Sequence, residues 1–383
     1  MTDDVGRDGA PRGGRAMSRA FLYGPLCWPD LLEIVAGRPV ACDPAILPGA
    51  GVRSGEDGRA VLGEGDGARG LLTEPLDPEV RARIDWYEAA FGATPEPAPD
   101  LGPDVVTHRA GDAGAGQGGW DLDAWIGAQG ARAAIAAAEI LRLRDSVPAG
   151  DMPARRRVAE ARAHGIAQSR DRLRTATFGG TTPAEAIDVT SVAYPYEGFH
   201  RVEEWLFDHP RFDGGRSGPI RRALSHVTDA ATVLPYDAVR DRVLVVEQIR
   251  VGPMSKGDPR PWLLEPVAGL IDAGETAENT ALRELQEEAG LTAGPAELHL
   301  VGRYYPSPGG LAQVLTSFVA LCDLPDDAAG LHGLEEEGED IRGHLVPLPE
   351  LAGMLDSGEA ANAPLIVSAQ WLMLNRDRLR AVG

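Results

Sequence analysis

Cysteine is scarce in this chain of 383 residues: Cys27, Cys42 and Cys322 are the only three, with no metal-ligand spacing and no even set from which a disulfide framework could be built. A reducing compartment fits that usage. Long apolar runs are missing too, so nothing reads as a membrane span, and the opening MTDDVGRDGAPRGGRAMSRA is polar and glycine-rich without a signal-peptide core. These absences predict a soluble cytoplasmic protein with no membrane partner. Positive charge is short: 37 Lys and Arg against 58 Asp and Glu leave a formal net charge of −21. That balance argues against a nucleic-acid partner, whose backbone is held by basic side chains that release counterions. A small anionic ligand held by a few local arginines stays open. No internal repeat occurs at any solenoid period, and the length predicts two domains plus connecting material.

What is present in excess is negative charge on one short stretch, Gly269 to Leu291, GLIDAGETAENTALRELQEEAGL. It reads as a loop followed by a helix. A helix advances about 100° per residue, so Glu284, Glu287 and Glu288 share one face within little more than a turn. Three like charges this close repel, which calls for a cation. Hard divalent ions such as magnesium take carboxylate oxygens and commonly bridge them to substrate phosphates. Arg283, four residues before Glu287, can orient it. On the other side Ala281, Leu282, Leu285 and Ala289 form an apolar stripe fit to dock on a sheet, and Gly290 suits a helix stop. The plain alternative is an amphipathic helix with a solvated acidic face.

The positions of Gly269, Glu275, Arg283, Glu284, Leu285, Glu287, Glu288, Gly290 and Leu291 resemble the signature of the Nudix hydrolases at every specified letter. The surrounding texture agrees with that family's architecture. From Ile187 onward alternating strands (IDVTSVAY, FHRVEEWLFDH, RALSHVTDAATVLPYD, RDRVLVVEQIR) precede the acidic helix, and WLLEPVAGLI leads into it. LHLVGRYYP and QVLTSFVALCDL give further strands, and two helices close the chain. The expectation is an α/β/α sandwich with a mixed sheet over residues 181–383.

The resemblance implies hydrolysis of a nucleoside diphosphate linked to another moiety. It implies metal ligands at Glu284, Glu288 and the backbone carbonyl of Ala268, with Glu287 a further ligand or an orienter. Magnesium, or manganese in its place, would neutralise phosphoryl oxygens and activate water. VLPYDAVRDRVLVVEQIR, PWLLEPVAG, SPGG and HGLEEEGEDIRGH resemble the ADP-ribose pyrophosphatase branch in particular. That resemblance implies cleavage of ADP-ribose to AMP and ribose 5-phosphate. It places adenine on Phe199, the pyrophosphate on Arg222 and Arg250, and further substrate contacts at Ser307, Gly309 and Gly310. The general base falls at Glu337, with Glu287 as the alternative, and a further metal position at Glu339. It also implies a homodimer formed through this domain. Read as plain structure, Phe199 is core on an alternating strand, and Arg222 and Arg250 are strand-end charges. A diphosphatase for another nucleotide sugar and a nucleotide-sensing module are the rival functions.

The N-terminal part has a different character. Residues 1–16 read as a disordered tail, and AFLYGPLCWPDLLEIVAG as a strand, a glycine turn and a helix. Short glycine-punctuated strands follow, then a helix, DPEVRARIDWYEAAFG. Over residues 17–130 the chain resembles the gamma-glutamylcyclotransferase-like family, a small mixed β-barrel. Its ligand turn falls on Tyr23 and Gly24, and its general acid or base on Glu88. Pro25 departs from that pattern, removing a hydroxyl and a backbone N–H donor, and Ala89 stands where glycine is common. A protein that also acts on gamma-glutamyl amines is the bifunctional alternative. Residues 131–180 read as a helical extension whose positive charge is a solvated face.

Overall fold

The computed structural model describes residues 18–55, 58–110, 118–171, 177–180, 182–333 and 338–381. The chain divides between Ala163 and His164 into two compact units. In the first, β1 (Arg19–Leu22), α1 (Pro29–Ala36), β2 (Cys42–Leu47), β3 (Ala50–Ser54), β4 (Ala60–Glu64) and β5 (Ala68–Thr73) are followed by α2 (Pro78–Ala89). Then come β6 (Ala93–Pro97), β7 (Val105–Ala110), α3 (Leu122–Arg142) and the first part of α4 (Met152–Asp171), within which the division falls.

The expected small barrel is corrected here. Five strands form an open sheet in the order β2-β5-β1-β7-β6, while β3 and β4 form a separate two-stranded sheet. Both edge strands carry prolines, Pro44 in β2 and Pro95 and Pro97 in β6. A proline has no N–H to offer a further strand, so these edges do not continue the ladder. Helix α1 begins with Pro29 in its first turn and ends at Gly37, whose φ of 80° is the left-handed stop that glycine adopts freely. Helix α2 is capped by Asp77, which accepts the N–H groups of Glu79 and Val80. Leu31, Val35, Ile84, Tyr87, Trp125 and Ile140 join α1, α2 and α3 in one core. Helix α3 runs unbroken through residue 130. Arg162 does not face solvent as expected of this basic stretch: it is 3% exposed and donates to the equally buried Glu139 at 3.4 Å.

After the end of α4, the second unit continues with an arm of β8 (Asp188–Glu197), β9 (Arg201–Asp208) and β10 (Ile220–His226). The main body contains β11 (Ala230–Asp237), β12 (Arg242–Ile249), α5 (Val251–Ser255), β13 (Trp262–Glu265), β14 (Val267–Leu270) and α6 (Ala277–Ala289). It continues through β15 (Leu298–Tyr304), β16 (Leu311–Ala312), β17 (Leu315–Leu321), β18 (Leu331–His332) and β19 (Ile341–Pro347) to α7 (Leu348–Ser357) and α8 (Ala363–Arg380).

RALSHVTDAATVLPYD, which reads as one strand, and WLLEPVAGLI, which leads into the acidic helix, are each broken in two. RALSHVTDAATVLPYD divides at Val227–Asp229, so that β10 joins the four-stranded sheet β16-β10-β9-β8 and β11 enters the large mixed sheet. WLLEPVAGLI divides at Pro266, with β13 pairing with β12 and β14 with β11. A residue without an N–H is the natural place for a chain to leave one partner strand for another.

The large sheet runs β15-β17-β11-β12-β19-β18 and is covered on both faces. Side chains alternate along a strand, so Ala231, Val233, Leu244, Val246 and Phe318 meet α6 through Ala277, Ala281, Leu285 and Ala289. Their neighbours Leu234, Tyr236, Val243, Val245 and Val319 meet α7 and α8 through Leu351, Leu365, Ala369 and Leu372. The result is a three-layer α/β/α sandwich. Leu372 is fully buried, and Trp371 packs partly exposed on the same cluster. Among the described residues no helix is long and apolar enough to cross a membrane.

Candidate active site

Helix α6 is fixed at both ends. Thr276 caps it by accepting the Asn279 N–H at 3.2 Å, and Gly290, with φ of 63°, ends it. Its apolar face, Ala277, Ala281, Leu285 and Ala289, is buried against the sheet, with Leu282 half-buried at the margin. That docking sets the carboxylates beside β14. Glu288 is 4% exposed and accepts the backbone N–H of Ala268 at 3.0 Å. Glu284 lies directly over the next residue: a Cβ at Gly269 would stand 1.7 Å from its Oε1. Glycine is therefore required at 269 by contact with the carboxylate rather than by backbone conformation.

Arg283 gathers the remaining negative charge. Its Nη1 donates to Glu284 at 2.6 Å and to Glu287 at 2.8 Å, while Nε reaches Glu275 at 3.2 Å. Thr280 also donates to Glu275, at 2.8 Å. Although burial pushes the Glu275 carboxyl up, the Arg283 guanidinium and the Thr280 hydroxyl hold it below the usual carboxylate range. Glu284 and Glu288 go the other way. Burial raises Glu284 despite the charge and hydrogen bond of Arg283, and the charges of Glu287 and Glu339 add to the rise. Burial pushes Glu288 up to about 8; the Ala268 N–H and Arg250 pull it down, while Glu284 and Glu339 add to the rise.

This is the electrostatic profile of a site short of positive charge. Among the described residues no three acidic, imidazole or thiol side chains already close on a common point. The donor set nevertheless fits a hard divalent cation: buried carboxylate oxygens that repel one another, around a backbone left bare at Gly269.

The other residues singled out in the sequence fall at graded distances from this centre. Arg250 and Glu339 both act electrostatically on Glu288. Arg250 donates from Nε and Nη2 to Glu265, at 2.9 and 2.6 Å, and Glu265, only 5% exposed, also accepts Asn362 Nδ2 at 2.9 Å. Glu337 lies outside the described residues. Phe199 is not core, as its plain reading had it: it is 54% exposed, in the turn before β9, with its ring edge-on to His200 at 5.0 Å. Arg222 is exposed on β10 and donates to the Arg221 carbonyl at 2.8 Å. The turn holding Ser307, Gly309 and Gly310 is closed by Gly310 N–H to Ser307 O at 3.1 Å. It borders β10 through Ser225 N–H to Gly310 O at 2.9 Å. Box, loop and arm thus belong to one unit but to two sheets.

In the first unit Tyr23 donates its hydroxyl to the His108 carbonyl at 2.9 Å, and burial together with the charge of Glu88 raises that hydroxyl well above its ordinary value. Gly24 has φ of 63°, and a Cβ there would stand 2.4 Å from that of Ala60. It lines a cavity of ≈ 490 Å³ with Cys27, Arg69 and Trp120, whereas Tyr23 and Glu88 are not among the lining residues.

Sequence reasoning missed two features. One is the Thr280–Glu275–Arg283 chain that supports the box; the signal was a threonine one turn ahead of Glu284. The other is a buried cluster around Glu203 on the arm, whose trace in the sequence is Arg201 and Glu203 two residues apart on β9.

Comparison with known proteins agrees with the geometry. Residues 226–368 match the NUDIX domain family. The ADP-ribose pyrophosphatase of Escherichia coli (strain K12) is 38% identical over 185 residues, covering 48% of this chain and 87% of that protein. The ADP-ribose pyrophosphatase of Haemophilus influenzae is 37% identical over 187 residues, covering 48% and 85%. A GDP-mannose pyrophosphatase of Enterobacter sp. (strain 638) is 28% identical over 163 residues, covering 42% and 83%. A solved structure described as an ADP compounds hydrolase is similar over 53% of this chain and 99% of its own, at 21% identity and a TM-score of 0.39, too distant to weigh. The chain belongs to the Nudix hydrolases. Members of this family generally use divalent metal ions, and the match supports hydrolysis of a nucleoside diphosphate linkage.

The raised Glu288 gives a test of the site without substrate. Its ordinary value is 4.5 and its folded value about 8. Between those two values the unfolded chain sheds the proton freely while the folded chain keeps it, so metal-free stability falls as pH rises through that window. In chelator, Glu288→Gln should therefore melt roughly 5 °C or more above wild type at pH 8. The gap should close towards pH 4.5, as followed by thermal melts. An equal gap at both pH values would contradict the assigned burial of charge.

Proposed function

We propose that this chain hydrolyses the pyrophosphate of ADP-ribose to AMP and ribose 5-phosphate, with magnesium as its cation. The observation that carries the reading is the pair of mutually repelling carboxylates, half-buried Glu284 and buried Glu288, set against the bare backbone at Gly269. The choice of ADP-ribose is supported by relatives of that name at 38% identity, against 28% for the GDP-mannose relative.

The cation would be held by Glu284, Glu288, Glu339 and the Ala268 carbonyl. When bound, magnesium supplies charge to neutralise phosphoryl oxygens and to lower the pKa of a water. The protein's own groups do the rest. Arg283 fixes the orientation of Glu284 and Glu287 through bonds of 2.6 and 2.8 Å. Arg250, anchored by Nε and Nη2 to buried Glu265, offers its unused Nη1 to a phosphate oxygen. Arg222 takes the other side of the pyrophosphate, Phe199 stacks on adenine, and the turn at Ser307, Gly309 and Gly310 borders the ligand. Glu337 accepts the proton of the attacking water. Another nucleotide sugar is the second reading, favoured by the GDP-mannose pyrophosphatase relatives.

Initial rates on ADP-ribose, NADH, ADP-glucose and GDP-mannose, with and without magnesium, decide between them. The reading expects ADP-ribose to be cleaved fastest and only with metal; slower cleavage than any of the others would sink it. Glu337→Gln should lower kcat by at least two orders of magnitude with KM nearly unchanged, as for a lost general base. Unchanged turnover would move that role to Glu287. We also infer a homodimer formed through the second unit, for which light scattering at micromolar concentration should give twice the chain mass; a monomer refutes it.

A further inference from the structure

The last turns of α4, from His164 onward, belong to the second unit and lie outside residues 226–368, the stretch that matches the family. They nevertheless meet the loop 271–276, which joins β14 to α6 and carries the chain from Gly269 to the acidic helix. His164 Nε2 stands 3.0 Å from the carbonyl oxygen of Glu275. A carbonyl only accepts, so this nitrogen bears the proton and donates it. Gln168, one turn further along α4, reaches the same nitrogen at 2.8 Å. Gly165 faces Asp229: a Cβ there would stand 3.2 Å from Asp229 Oδ2. Glycine is a poor helix former, and here it leaves room for a carboxylate against the helix backbone.

These contacts bear on both ends of the loop. At its start the Ile271 N–H donates to the Asp229 carbonyl at 2.9 Å, and near its end His164 holds the Glu275 carbonyl. Between them the Glu275 N–H closes a turn onto the Asp272 carbonyl at 3.0 Å. Glu275 is thus gripped from two directions. Its backbone is fixed by α4, while its carboxylate accepts Arg283 Nε at 3.2 Å and the Thr280 hydroxyl at 2.8 Å. Arg283 in turn holds Glu284 and Glu287. Hydrogen bonds weaken steeply with misalignment, so a shift of the Glu275 backbone is passed to the carboxylates of α6. We propose that His164 is a positioning residue of the hydrolase: from outside the family-matched stretch it fixes the loop that presents the α6 carboxylates, and so sets the affinity for the divalent cation. The inference rests on the cation reading above and requires no contact between His164 and either cation or substrate.

Calorimetric titration of the full chain with manganese tests it in wild type, His164→Ala, His164→Leu and His164→Gln. Leucine fills the space without a donor, and glutamine restores an N–H at similar reach. Loss of this hydrogen bond is expected to weaken manganese about fivefold in His164→Ala and His164→Leu, with His164→Gln within about twofold of wild type. If the alanine variant fails to fold, the comparison of leucine with glutamine decides. In chelator, hydrogen exchange of the amides in 271–276 should be faster in His164→Leu than in wild type and His164→Gln, with α8 unchanged. In hydrolysis, the manganese concentration for half-maximal rate should rise by the same factor as the dissociation constant, while kcat at saturating metal stays within about threefold. Manganese affinity in His164→Leu equal to wild type, no rescue by His164→Gln, or unchanged loop exchange would each overturn the proposal and leave the cation reading standing. No manganese binding to wild type would overturn both.

Discussion

The repulsion between Glu284 and Glu288 is the constraint on which the second unit is organised. Neither carboxylate can turn to solvent, because the apolar side of α6 is docked on the sheet by Leu285 and its alanine neighbours. Glu288 is held inward by the Ala268 N–H, and Glu284 fills the space that any side chain at 269 would need. Three compensations are visible: Arg283 shared between Glu275, Glu284 and Glu287, Arg250 within electrostatic reach of Glu288, and a raised proton affinity at Glu288 itself. A divalent cation is the fourth, and it would relieve what the arginines leave unbalanced.

The sheet is arranged to deliver those parts to one place. Pro266 lets the chain leave β12 and pair with β11, which brings Ala268 and Gly269 under α6. At the break before β11, Asp229 ties the chain down: its carboxylate accepts the Val314 N–H at 2.8 Å, and its carbonyl accepts the Ile271 N–H at 2.9 Å. From that point β10 runs out into the arm, where Arg222 and Trp205 lie together on one face. The acidic cluster of α6 thus sits against the large sheet, and Arg222 on the adjoining four-stranded arm.

Much of this was legible in the sequence because it is local. The stop at Gly290, the apolar stripe of α6 and the clustered carboxylates all lie within one short window, where period and spacing determine geometry. The two covered faces of the sheet followed from strand alternation with flanking helices. What stayed hidden is long-range. The partner of Arg250 is fifteen residues away at Glu265, and Glu203, besides its neighbours Arg201 and Trp205, meets His226 twenty-three residues away. No periodicity couples such positions. The expected barrel failed for a related reason: a family resemblance predicted closure, while the prolines at both edges forbid continued pairing. Breaks at Pro266 and at Val227–Asp229 were written in the sequence but only pairing shows that they change partner or sheet. Glu337, the expected base, falls outside the described residues.

The central claim is that a cation completes a site in which Glu288 otherwise keeps its proton. Calorimetric titration of the protein with manganese at pH 7, in two buffers of different ionisation enthalpy, measures it directly, because a carboxyl near 8 must release its proton to become a ligand. The account predicts binding with release of close to one proton per site, and a release abolished in Glu288→Gln. Binding without proton release, or with the same release in that variant, would contradict it.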